Sequence, residues 1–140
     1  MSDDQVINFR FIAIHIVSKS LMPLTEPLSG IFIFEIKVEV RVVPEKGIVM
    51  PTVDIMILED KTKKELANFK IACSFEIVDF DTVILKNEEG KFLIPKPLQD
   101  IIQPVSISTA RGVVYSELRG THLNNAIMPV VFMNSLQPSP

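Results

Sequence analysis

The side chains able to do chemistry in this chain are few and widely spaced. His15 lies inside the apolar run FRFIAIHIV, residues 9–17, where a packed or partly exposed strand histidine is expected. His122 follows a helical segment in RGTHLNN and reads as a cap or turn residue; no carboxylate lies near it in sequence to make it a general base. Cys73 falls on the apolar side of an alternating segment and reads as a small buried hydrophobe. Asp79 and Asp81 flank Phe80, and two carboxylates without a ligand loop are weak grounds for a calcium site. Glu88 and Glu89 belong to the polar turn NEEGK and read as solvated charges. There is no glycine-rich phosphate loop, no Cys or His pair at metal spacing and no GxSxG. The expectation is a non-enzyme with no metal and no cofactor.

What the elements must position is therefore apolar surface. The 140 residues are 47% hydrophobic and 22% charged, with a net charge of -3. The mean hydropathy is +0.32. Such a chain fits a single domain over residues 1–140 with more apolar material than one small monomer readily hides. Its hydrophobicity excludes disorder, and a pI near 5.4 argues against coating nucleic acid. No apolar run reaches the roughly 18–20 residues that cross a bilayer. The start, MSDDQVINFR, lacks a basic signal region, and a lone cysteine fits a reducing compartment. A cytoplasmic protein is expected.

Isoleucine and valine make about a quarter of the chain, which favours strands. Residues 9–17 are apolar at nearly every position, as in a strand buried on both faces or paired at an interface. Residues 31–42, IFIFEIKVEVRV, alternate cleanly, with Phe32, Phe34, Ile36, Val38, Val40 and Val42 on one face. A third strand is expected over 49–58, a charged hairpin tip at EDKTKKE, and a fourth strand over 66–80. Between the first two strands, SKSLMPLTEPLSG (residues 18–30) is a proline-broken crossover unusually rich in leucine. Residues 83–97 read as irregular.

Helical spacing then takes over from Leu98 through Val113, predicting a helix over 98–119 with a break or kink near Pro104 and Gly120 as stop. Residues 123–132 look extended. From residue 101 onward only Arg111, Glu117 and Arg119 are charged, whereas a surface helix normally shows a charged outer face. A helix covered by its own sheet on one side and a second subunit on the other explains this. Val113, Val114, Tyr115 and Leu118 of the helix, with Phe11 and Ile14 of the first strand, are the expected interface.

The stretch PVSISTARGVVYSELRGTHLNNAIMPVVFMNSL, residues 104–136, resembles the export chaperone SecB. The resemblance rests on Ala110-Arg111, on Arg119-Gly120-Thr121 closing the helix, and on Met128-Pro129-Val130-Val131-Phe132 after a short spacer. It implies an α+β fold, a four-stranded antiparallel sheet with a long C-terminal helix packed on one face. It further implies assembly as a dimer or tetramer, and ATP-independent binding of unfolded or extended polypeptides in apolar grooves. Preprotein export is the family's setting. Gly112 stands where the family pattern shows Glu, and Thr109 where it shows an aromatic. The ending LQPSP carries no acidic tail of the kind presented to SecA, so SecA is a doubtful partner.

Within that resemblance the groove is expected from Leu21, Met22, Leu24 and Leu28 of the crossover, with Ile31 and Ile33 of the next strand. Ile127, Met128, Val130 and Phe132 are expected to form the opposing wall. The alternative from another class is an adaptor or assembly module on the same fold, such as an antitoxin-dedicated chaperone, that binds one protein partner.

Overall fold

The clean alternation of the second apolar segment produces β2 (Phe32–Val43), which pairs without a bulge along β3 (Ile48–Glu59). In this computed structural model, which describes residues 7–24 and 26–129, β1 (Phe9–Leu21) and β4 (Glu65–Ile77) complete an antiparallel sheet. Its strand order is β1-β4-β3-β2, so β1 and β2 are the edges. A single turn of 3₁₀ helix, Pro44–Lys46, joins β2 to β3 and ends on Gly47 at φ 68°. That left-handed backbone is one a side chain would strain.

Of the two expectations for the first strand, burial on both faces is not met within the subunit. β1 is buried on neither face in the subunit: Phe11, Ile12, Ile14, Ile16 and Val17 are all exposed. Two bulges, between Phe11 and Ala13 and between Ile16 and Ser18, each shift the register. The residues opposite β4's buried face are therefore Phe9 and Phe11, then Ile14 and Ile16, then Lys19 and Leu21. No single phase of alternation is kept, because each bulge adds one residue without a partner.

β4 stops at Ile77, short of the expected Phe80. Asp79 adopts a left-handed φ of 55° and turns the chain into α1 (Phe80–Val83), returning Phe80 to the core. The minimal hairpin β5 (Leu85–Lys86) and β6 (Phe92–Leu93) occupies part of the stretch expected to be irregular. Residues 122–125 form turns, correcting the start of the extended segment expected over 123–132; 126–129 belong to no strand, and 130–132 lie outside the described residues.

The long helix α2 (Lys96–Glu117) is continuous past Pro104, so of the expected break or kink the break does not occur. Pro104 offers no N–H to the Asp100 carbonyl. The fully buried Ser106 donates its hydroxyl to the Ile102 carbonyl at 2.7 Å. α2 buries Leu98, Ile102, Ser106, Ile107, Ala110 and Val114; all but Ile107 fall on a four-residue repeat that Leu118 continues just past the helix end. This stripe lies over β3 and β4. It packs on Val53, Ile55, Phe69 and Ile71 near one end of the sheet and on Val49, Cys73 and Phe75 near the other. Ile101, Val105, Ser108, Gly112 and Tyr115 face outward. No helix among the described residues is long and apolar enough to cross a membrane.

Candidate polypeptide-binding groove

Prolines 23 and 27 keep the crossover out of helix and sheet, so its backbone must be held by other means. At its start, Met22 N–H donates to the Leu66 carbonyl at 2.9 Å. At its end, Asp60 N–H donates to the Ile31 carbonyl at 3.2 Å. Beside that second tie the Ser29 hydroxyl donates to the Glu59 carboxylate at 2.7 Å, and Lys61 N–H donates to the same oxygen at 3.2 Å. Glu59 is only 6% exposed. The Ser29 hydroxyl, the Lys61 amide and then the Ser29 amide hold its carboxyl below the ordinary glutamate range, overcoming a smaller opposing effect of desolvation. The crossover is thus tied at both ends to the β3–β4 hairpin.

Between the ties it arches over a cavity of about 280 Å³. Met22, Leu24, Leu28 and Leu66 supply apolar walls, while Glu26, Lys61, Glu65 and His122 bring both signs of charge to its lining. A 150 Å³ engineered cavity holds one benzene, roughly, so this space takes a large apolar side chain with room left. Leu28 also packs against the core, whereas Leu24 is 53% exposed and free to meet a ligand. Apolar walls with a mixed polar lining favour burial of a side chain without dictating its identity.

Met22, Leu24 and Leu28 are therefore brought together by the structure, and the other expected groove residues are not. Leu21 ends β1 and is exposed, opposite Ala67. Ile31 is exposed ahead of β2, and Ile33 pairs with Leu58 on the sheet face away from α2. Ile127 and Met128 line a separate depression with Ser108, Arg111, Gly112 and Tyr115. Met128 is itself buried in the core. They do not form the opposing wall, which comes from Glu59–Leu66 of the hairpin. Val130 and Phe132 lie outside the described residues.

Among the expected interface residues, Phe11 and Ile14 on the β1 edge and Tyr115 on α2 are exposed, and Val113 is half-buried. Val114 and Leu118 are corrected to core residues: both are 1% exposed beneath α2, because the buried stripe advances by four residues and reaches them. Arg119 lies past the helix end rather than in its last turn. Its guanidinium sits 4.1 Å from the Tyr115 ring, donates to the Tyr115 carbonyl and ties the Asn124 carbonyl to the helix end.

Sequence reasoning missed Ser29, Glu59, Lys61 and Leu66 as parts of the site. The hairpin tip read as solvated charge, and no local signal tells that it meets the crossover. His122 is an exposed turn residue, as read, but it also lines the cavity. His15 is an exposed β1 residue opposite Ala72, and Cys73 is buried. Among the described residues no group of three His, Cys, Asp or Glu is placed to hold a metal.

No protein-family model matches this chain, and no curated protein matches it. Among solved structures it is similar to the SecB-like chaperone of Mycobacterium tuberculosis, determined in complex with a ChAD peptide from the HigA1 antitoxin. The TM-score is 0.62 at 12% sequence identity, covering 89% of this chain and 88% of that one. Four antiparallel strands in this order, backed by one long helix, are thus a SecB-like fold.

Proposed function

We propose that the protein is an ATP-independent, SecB-like chaperone of the cytoplasm that holds an extended or unfolded polypeptide segment at the crossover, with no enzymatic step of its own. The observation that carries this reading is the crossover itself: Met22, Leu24 and Leu28 are held by hydrogen bonds at both ends over a cavity with apolar walls and a mixed polar lining. Burying a leucine-sized client side chain there contributes about 1.5–3 kcal/mol before ordering costs. The structural similarity to a chaperone holding an antitoxin peptide supports the same reading.

Assembly belongs to the proposal as well. The exposed apolar side chains of β1, among them Ile12, Ile14 and Val17, suit burial against a second copy. The outward face of α2, with Ile101, Val105 and Tyr115, suits it too.

The test is suppression of aggregation of an unfolded reporter protein at near-stoichiometric ratio, without ATP. A pure, folded sample that binds no unfolded chain overturns the reading. The second reading, an adaptor dedicated to one protein such as an antitoxin, is favoured by the peptide seen on the similar structure. It predicts one co-purifying partner from native lysate and no general holding activity.

A further inference from the structure

We propose that β2 is a homotypic docking edge, at which two copies of this chain pair antiparallel about a two-fold axis through Val38. β2 is an outer strand, and its twelve residues carry no proline, glycine or bulge; an edge so regular is open to pairing. On the face away from α2 it carries Glu35, Lys37, Glu39 and Arg41 in strictly alternating sign, all exposed. None of the four has an ion pair within the described subunit.

An antiparallel copy centred on Val38 supplies every missing partner. Glu35 meets Arg41 of the partner subunit, Lys37 meets Glu39 of the partner subunit, and symmetry repeats both pairs. Neighbouring registers fail. Centring on Lys37 sets Glu35 against Glu39 of the partner subunit, and centring on Glu39 sets Lys37 against Arg41 of the partner subunit. A one-residue slip turns charged residues onto the apolar face. The other face agrees with the same axis: Ile36 meets Val40 of the partner subunit, and Val38 meets its own counterpart. These side chains are only half-buried, packing at the margin of the core while α2 lies mainly over β3 and β4. A client strand of arbitrary charge has no reason to match this pattern; a second copy matches it by construction. The inference does not depend on the chaperone reading.

The test uses the full chain and light scattering coupled to size exclusion. Lys37→Glu with Arg41→Glu makes the edge wholly acidic, and Glu35→Lys with Glu39→Lys makes it wholly basic. Each variant alone is expected to have half the wild-type mass, with association weakened by roughly tenfold or more. Mixing the two is expected to restore that mass, now with one subunit of each kind at the edge. Retained circular dichroism and thermal midpoint show that each variant folds. As an independent measurement, Val38→Cys is expected to cross-link into a covalent dimer on mild oxidation, whereas Ile36→Cys, offset from its counterpart, is not. Unchanged mass in both charge variants, no recovery on mixing, or no Val38→Cys dimer overturns the proposal. Loss of unfolded-chain binding at unchanged mass also overturns it, and assigns the edge to a client.

Discussion

The Ser29 hydroxyl lies 2.7 Å from the Glu59 carboxylate, joining the end of the crossover to the end of β3 across thirty residues of chain. A carboxylate accepting a hydroxyl and a backbone N–H is a charge-assisted anchor, stronger than a neutral hydrogen bond. Because its folded-state pKa is depressed, the stability it contributes is fully present above the ordinary glutamate range. That stability is lost as pH falls through this range towards the lower folded value. Wild-type protein is therefore expected to lose thermal midpoint below about pH 4.5 more steeply than Glu59→Gln, as scanning calorimetry at several pH values will show. Parallel curves for the two proteins refute the anchoring role.

Leu24 separates binding from folding. It is more than half exposed, so Leu24→Ser is expected to leave the thermal midpoint nearly unchanged. Loss of its contact with a client is expected to weaken affinity for an unfolded reporter by about tenfold or more. Fluorescence anisotropy with a permanently unfolded reporter measures this. Unaltered affinity places the client elsewhere.

Leu28 behaves differently because it packs on the core while also lining the cavity. Leu28→Ala is expected to cost about 1–2 kcal/mol of stability, below the range for fully buried leucines because the site is only half-buried. Urea unfolding will show a lower midpoint at an unchanged slope.

Gly112 sits on the outward face of α2, and a Cβ there meets nothing within 4 Å. Gly112→Ala is thus expected to raise subunit stability by about 0.4–1 kcal/mol, through helix propensity and the unfolded chain's reduced freedom. A fall in the thermal midpoint, or in the mass by light scattering, instead reveals a second chain lying against this position.

Cys73 is fully buried on β4, and burial pushes its thiol up, opposed only in part by the Ser106 hydroxyl. Thiol reagents are expected to modify it at the rate of unfolding rather than of a free thiol, with quantitative labelling only in denaturant. Rapid labelling of native protein contradicts that placement.

Much of the fold was legible because it is written in local periods. The alternation over Phe32–Val42 and the helical spacing from Leu98 to Val113 are each visible within a short stretch of chain. Of the two readings of β1, burial on both faces fails within the subunit because strand order leaves it at an edge, and α2 continues past Pro104 with its buried stripe packed on the sheet. The candidate site was half legible. The leucines of the crossover announce themselves as apolar residues in a loop, whereas Glu59 and Lys61 sit among ordinary hairpin charges.

The amino-acid sequence by itself determined the element types, the apolar crossover and the shortage of charge in the last forty residues, because side-chain pattern and composition are properties of the chain. Only the tertiary structure decided that β1 and β2 are the edges, that Val114 and Leu118 point inward, and that Ser29 reaches Glu59. Those facts depend on strand order and on contacts between distant segments, which local periodicity does not encode.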